Sequence, residues 1–243
     1  MKKNVLRFAI FSAAFFLGVT IVALLYFRVI PQIPAPPLLP PPEILDCVRS
    51  KSFPGLSQKI SEIERGSSGY FPKSIFSKNR NDVDRLMNDW YGKHLKAMGE
   101  RSLLDDSGND TEIYRFLWLR TFHHPVFVRV ERNKNKAGLF TKELDGAGGY
   151  APGKVLREYE HRLTKQEFCE FLNLLEKADY WSLPSTEDDG GVDGAQWILE
   201  GVKNDRYHVV DRFSPEKGEY QEACIYLLKL SNIDVDKLKD DLY

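Results

Sequence analysis

Residues 113–122 read IYRFLWLRTF, and residues 126–131 read VFVRVE after the break at His123-His124-Pro125. Both runs are rich in aromatic and β-branched side chains, which favour strands. A third run follows at residues 137–144. The three runs predict an antiparallel meander. Arg120 falls on the aromatic-bearing face of the first strand, where its guanidinium could stack on a neighbouring ring.

Helical patterns flank this meander on both sides. Residues 164–167 read TKQE, a capping box in which the Thr and Glu side chains satisfy backbone amides at a helix start. Residues 214–216, SPE, mark another helix start. Before the meander, apolar residues recur at the spacing of one helix face: Val83, Leu86, Met87, Trp90 and Met98. We therefore predict an α+β domain over residues 43–243, with antiparallel strands packed against about three to four helices.

A hairpin with its turn at Lys203-Asn204-Asp205 supplies the candidate catalytic residues. If the loop has three residues, Glu200, His208 and Arg212 share one face of the hairpin. Glu and His suit acid–base chemistry, and Arg could hold an anionic substrate. A two-residue loop would redistribute these side chains between the faces. Ion pairing within the hairpin would explain Glu200 and Arg212 equally well.

No further catalytic motif accompanies these three residues. The chain contains no G-x-S-x-G elbow, no H-E-x-x-H helix and no Cys/His set at metal-binding spacing. The acidic loop at residues 187–194 lacks the alternating oxygen ligands of an EF-hand and is expected to be a solvated turn. The sequence therefore predicts no metal site and no cofactor.

A glycine-rich loop, residues 144–154, reads LDGAGGYAPGK. Gly148, Gly153 and Lys154 come close to the spacing of a phosphate-binding loop, which also requires a Ser or Thr and a following helix. Val155 occupies the hydroxyl position, and residues 155–163, VLREYEHRL, suit a strand at least as well as a helix. We therefore expect no nucleotide binding, and we expect the glycines to adopt positive φ.

Four motifs, YRFLWLRTFHHPVFVRV, ELDGAGGYAPGK, DGAQWILEG and YHVVDRFSPE, occur in this order. Together they resemble a family of uncharacterised bacterial proteins, over about residues 85–232. The resemblance implies a bacterial envelope setting and one compact domain. It implies no activity.

Towards the N-terminus, residues 8–27 read FAIFSAAFFLGVTIVALLYF, twenty residues without a charge. A helix of this length crosses a hydrocarbon core of about 30 Å. Lys2, Lys3 and Arg7 precede it, so the positive-inside rule predicts a cytoplasmic segment at 1–7, a transmembrane anchor at 8–30 and an extracytoplasmic remainder. A cleaved signal peptide is the alternative, although its apolar core would be shorter and followed by small residues.

Residues 31–42, PQIPAPPLLPPP, predict an extended polyproline-II stalk between the anchor and the domain. The net charge of −1 argues against nucleic-acid binding, which usually requires a basic face. Three cysteines are too few for a disulfide scaffold. Cys169 and Cys224 could pair in an oxidising compartment, or both could be buried free thiols.

Two classes of function remain open for a protein of this organisation. The first is a non-catalytic binding or envelope-assembly module, attached to the lipid bilayer through residues 8–30 and contacting an envelope protein. The second is an envelope acid–base hydrolase that uses Glu200 and His208. The anchor, the stalk and the absence of a nucleophile favour the first.

Overall fold

The computed structural model describes residues 47, 56–106, 112–187, 191, 193–233 and 242. The predicted cytoplasmic segment, membrane anchor and proline-rich stalk lie outside these residues. Within the described ranges, no helix is both long enough and apolar enough to cross a membrane. These ranges form an α+β fold, as predicted, with an antiparallel sheet and three α-helices.

The described part of the chain contains seven strands and three α-helices. In chain order the elements are β1 (Gln58–Lys59), α1 (Asn81–Ala97), β2 (Glu112–Arg120), β3 (Val126–Asn133), β4 (Lys136–Leu144), β5 (Val155–Leu163), α2 (Lys165–Lys177), β6 (Ala195–Lys203), β7 (Arg206–Phe213) and α3 (Glu219–Leu230). Short 3-10 turns lie at Ile60–Glu62, Leu103–Asp105 and Tyr180–Ser182.

The seven strands form one sheet in the order β1-β7-β6-β2-β3-β4-β5. Every pairing is antiparallel. The predicted meander of β2, β3 and β4 is confirmed, and β6 joins it by pairing along the full length of β2. The central strand β2 therefore lies between the β3–β4 hairpin and the β6–β7 hairpin, which are distant in sequence.

Each face of the sheet has its own hydrophobic core, because side chains alternate along a strand. One core packs against α2 and α3 and includes Phe116, Trp118, Val128, Trp197 and Leu199. The other packs against α1 and includes Leu117, Phe127, Ile198, Tyr207 and Val209. The guanidinium of Arg120 lies 4.1 Å from the ring centroid of Trp118, the stacking that their shared face predicts.

The capping box at the start of α2 is also confirmed. The Thr164 hydroxyl accepts a hydrogen bond from the Glu167 amide at 3.2 Å, and the Glu167 carboxylate accepts one from the Thr164 amide at 2.8 Å. These two bonds satisfy backbone donors that have no partner within the helix. The helix therefore begins where the local sequence predicts.

The turn of the second hairpin differs from the prediction. Lys203 pairs with Arg206, so the loop has two residues, Asn204 and Asp205, rather than three. Asn204 adopts a φ of 57°, a left-handed conformation that asparagine tolerates better than most residues. A shift of one residue in register moves the side chains of one strand to the opposite face. The condition under which Glu200, His208 and Arg212 would share one face is therefore not met, and the three side chains are divided between the two faces.

The cysteines adopt neither of the two arrangements that the sequence left open. A disulfide joins Cys47 to Cys169 of α2, across a sequence separation of 122 residues. Cys224 is a free thiol on α3 and is fully buried in the core beneath α2 and α3. Because Cys169 is bonded to Cys47, it is not available to Cys224.

Candidate functional site

The three candidate catalytic residues lie on opposite faces of the sheet. Glu200 pairs with Val209 and shares the face that packs against α1. His208 and Arg212 lie on the face of α2 and α3, because Arg212 pairs with Trp197 and His208 with Gly201. The sheet itself separates the carboxylate of Glu200 from the imidazole of His208, so the two groups cannot exchange a proton directly.

Glu200 forms a buried ion pair with Arg115 of β2. The Nε and Nη2 atoms of Arg115 lie 2.8 and 2.7 Å from the Glu200 Oε2 atom, and both side chains have 0% exposure. The Tyr207 hydroxyl donates a hydrogen bond of 3.0 Å to the other carboxylate oxygen. Burial raises the pKa of Glu200, while Arg115 opposes that rise. The carboxylate is therefore held by protein groups on both oxygens.

The ion pair continues towards the surface through Glu100. The Glu100 carboxylate lies 3.8 Å from Arg115 Nη1 and accepts a hydrogen bond of 2.9 Å from Arg129 Nε. Arg129 in turn bonds Glu131, which also contacts Arg101 at 2.6 Å. Alternating charges thus link the interior to solvent. Such a network compensates buried charges, and a structural role explains it without a substrate.

His208 lies in an aromatic environment on the other face of the sheet. Its side chain is 2% exposed, and its ring centroid is 5.2 Å from that of Tyr180 and 6.1 Å from that of Trp181. The Nε2 atom has no hydrogen-bond partner among the described residues. Burial lowers the pKa of His208 to about 4, so the imidazole is neutral at pH 7.

Arg212 is engaged by the protein rather than open to a ligand. Its Nη1 and Nη2 atoms donate hydrogen bonds to the carbonyl oxygens of Asp211 and Pro184 at 2.8 and 3.0 Å. Nη2 also lies 3.0 Å from the Glu187 carboxylate. The guanidinium carbon is 5.8 Å from the Tyr220 ring centroid. These contacts tie β7 to the segment after α2.

Asp211 is a buried acid that the sequence patterns did not single out. Its side chain faces α1, where its Oδ2 atom accepts a hydrogen bond of 2.8 Å from the Tyr91 hydroxyl. Its Oδ1 atom has no hydrogen-bond partner in the described part of the chain. Burial raises the pKa of Asp211 to about 7. The sequence carries no local sign of this contact, because Tyr91 and Asp211 are 120 residues apart.

The glycine-rich loop folds on itself and docks on the sheet. Its amides bond its own carbonyl oxygens, including Gly146 N to Pro152 O at 3.1 Å. The Trp90 indole of α1 donates a hydrogen bond of 2.8 Å to Gly148 O. A Cβ atom at Gly148 would lie 2.5 Å from the carbonyl oxygen of Arg120, so this glycine permits close approach. Positive φ is confirmed at Gly153 alone among the four glycines of the loop.

The segment that follows this loop is the strand β5, not the helix that a phosphate-binding loop requires. Among the described residues, no group of three or more His, Cys, Asp or Glu side chains is arranged to hold a metal ion. The local geometry of the loop is explained by its docking on β2 and α1.

Two recesses flank the edge strand β5, and neither is lined by Glu200, His208 or Arg212. The larger recess, of about 220 Å³, lies on the α1 face, and its lining includes Glu100, Arg129, Phe140, Lys142, Glu158 and Glu160. The smaller recess, of about 110 Å³, lies on the opposite face, and its lining includes Arg157, Tyr159, Ser231 and Asn232. Thr141 of β4 lines both.

No protein-family model matches this chain, and a search of curated proteins finds no significant relative. The resemblance of the four sequence motifs to a family of uncharacterised bacterial proteins therefore stays a prediction.

Proposed function

We propose that this chain is a single-pass membrane protein whose extracytoplasmic domain is a non-catalytic binding or assembly module of the bacterial envelope. The observation that carries the proposal is the separation of Glu200 from His208 by the sheet. Glu200 is fully buried and already bonded to Arg115 and Tyr207, so it has no free oxygen for a substrate. An acid–base hydrolase built on these two residues would require both groups at one reacting bond.

The disulfide supports the extracytoplasmic part of the proposal. Disulfides persist in oxidising compartments such as the periplasm and are rare in the cytosol. Cys47 packs against the core beneath α2 and α3 and is bonded to Cys169. It follows the predicted proline-rich stalk closely in sequence. The bond fastens Cys47 to α2.

A count of free thiols tests directly whether the domain lies in an oxidising compartment. In full-length protein extracted from membranes with an alkylating agent present, we expect one thiol per denatured chain without reductant. After reduction, we expect three, because Cys47 and Cys169 are released. Mass spectrometry of the alkylated peptides would assign the single free thiol to Cys224. Three free thiols before reduction would place the domain in a reducing compartment and contradict the proposed topology.

The proposed class of function is tested in cells with the full-length chain. After chemical crosslinking and membrane solubilisation, we expect the wild type and a His208→Gln variant to recover the same envelope protein. His208 is neutral and buried, so a neutral side chain of similar polarity should leave the outer surface unchanged. A chain truncated after residue 42 serves as the control and should recover nothing.

The hydrolase alternative predicts a different result for the same variant. If His208 acts in catalysis, His208→Gln should fold with an unchanged melting temperature and yet fail to complement a deletion strain. That outcome would overturn the proposal of a non-catalytic module.

A further inference from the structure

The two edges of the sheet differ in length and exposure. One edge is β1, which has two residues. The other is β5, which has nine residues and pairs within the described chain only with β4. Val155 and Leu156, at the start of β5, are 41% and 53% exposed. An edge strand of this length presents a row of backbone donors and acceptors to which another strand can add.

The recesses lie over β4 and β5, one on each face of the sheet, beside the position that a strand added to β5 would take. Lys142 pairs with Glu158, and Phe140 with Glu160, so these residues share the face of the larger recess. Thr141 pairs with Tyr159 and faces the smaller recess. Because successive side chains of an added strand point to opposite faces, alternate residues would lie beside the larger and the smaller recess.

The Thr141 hydroxyl, beside the smaller recess, is a polar group without a hydrogen-bond partner among the described residues. The Thr141 side chain is only 4% exposed. Buried hydroxyl groups in proteins are nearly always hydrogen-bonded. A polar atom of a ligand entering the smaller recess would complete the bonding of Thr141.

The charges at the larger recess select a basic ligand. Arg129 is neutralised by Glu100 and Glu131, and Lys142 donates a hydrogen bond of 2.7 Å to the Met98 carbonyl oxygen. On β5 itself, Glu160 forms no ion pair with another described residue, and Glu158 has only a 3.7 Å contact with Lys142. Arg162 lies on the same face of β5 but outside the lining of the recess, so the negative charge beside the recess at the open edge is that of Glu158 and Glu160.

We propose that β5 binds an extended segment of a partner protein as an added strand, with Lys or Arg side chains opposite Glu158 and Glu160. This inference rests on the proposed function, since it names the docking surface and the partner chemistry of the binding module. Main-chain hydrogen bonds to β5 provide affinity. The two glutamates and the recesses provide the preference for particular side chains.

A second copy of this chain is a poorer occupant of the edge when the whole strand pairs. An antiparallel pairing of the whole strand with itself is centred on Tyr159, the fifth of its nine residues. In that register Glu158 faces Glu160 twice, and like charges directly opposite each other are destabilising. A basic partner avoids this repulsion.

The test measures peptide binding to the full-length protein in detergent micelles by fluorescence anisotropy. The probe is a peptide of about eight residues that alternates Lys and Val, the pattern that an added strand on this edge would require. Two further probes have the same sequence but carry N-methyl groups on the Lys amides or on the Val amides. We expect the unmodified peptide to bind, and at least one N-methylated peptide to bind at least about tenfold more weakly, because methylation removes main-chain donors but no charge.

A charge-reversed protein tests the role of the two glutamates. Glu158→Lys/Glu160→Lys is expected to weaken binding of the unmodified peptide by at least about tenfold. The matched control is Glu170→Lys/Glu176→Lys on α2, which makes the same change of net charge at two exposed positions and should leave binding unchanged.

Three outcomes would overturn the inference. The first is no binding of the unmodified peptide, and the second is equal binding of all three peptides, which would indicate attraction to surface charge alone. The third is concentration-dependent dimerisation that Glu158→Lys/Glu160→Lys alters, which would make a second copy the occupant. If the crosslinking experiment recovers a partner while these peptides fail, the binding module stands and its docking surface lies elsewhere.

Discussion

Replacing Glu200 with glutamine is expected to lower the free energy of unfolding by about 3–5 kcal/mol, the usual cost of breaking a buried ion pair from one side. The variant leaves the guanidinium of Arg115 in the interior, where its side chain has 0% exposure and no water can solvate it. Glu100 lies 3.8 Å from Arg115 and compensates only part of that charge. Urea unfolding at pH 7, followed by circular dichroism, would measure the change.

Two further variants make this prediction specific to the ion pair. Glu160→Gln changes an exposed glutamate of the same sheet and should alter stability by less than about 0.5 kcal/mol. Arg115→Met/Glu200→Met removes both charges and should recover most of the loss, because apolar residues of similar volume often replace a buried pair without cost. A Glu200→Gln variant of unchanged stability that fails to complement a deletion strain would instead indicate a catalytic carboxylate.

Asp211→Asn is expected to stabilise the protein at pH 8 by about 4 kcal/mol. Each unit of difference between the pKa of Asp211 in the folded and unfolded states is worth about 1.4 kcal/mol. In the folded protein burial raises the pKa of Asp211 to about 7, against an ordinary value of 3.8. The folded state therefore binds more protons than the unfolded state between these values. As a result, stability from this group is present below pH 3.8 and is lost as pH rises through about 7. Asparagine cannot ionise, and its amide oxygen can still accept the Tyr91 hydrogen bond.

Unfolding measured over a range of pH also reveals an opposing contribution from His208. Burial lowers the pKa of His208 from 6.5 to about 4, so its stabilising contribution is present above pH 6.5 and is lost as pH falls through about 4. As pH falls from 6.5 to 4, protonation of His208 destabilises the folded wild type, whereas protonation of Asp211 stabilises it. In Asp211→Asn the stability should therefore rise with pH over this range.

The difference in stability between Asp211→Asn and the wild type isolates the effect of Asp211 from other titrating groups. We expect that difference to be small at pH 4 and largest at pH 8. Thermal unfolding at both pH values would measure it. A variant that is no more stable than the wild type at pH 8 would mean that Asp211 is already ionised and well solvated in the folded protein.

Local patterns were sufficient for most of the elements. The aromatic and β-branched runs around Pro125 predicted the meander, and the TKQE motif predicted the start of α2, because strand alternation and helix capping depend on neighbours within a few residues. The stacking of Arg120 on Trp118 followed from their shared strand face. The membrane anchor and its topology stay predictions, since they lie outside the described residues.

Local sequence patterns could not predict the arrangement of the candidate site, because it depends on strand register and on contacts between residues distant in sequence. One residue fewer in the turn at Asn204 moved Glu200 away from His208, and the strand pattern alone could not distinguish the two loop lengths. The partner of Glu200, Arg115, is 85 residues away in sequence, and the partner of Cys169 is 122 residues away. Packing of the whole sheet selects these pairs, since it sets which groups share a buried face and must neutralise or bond one another.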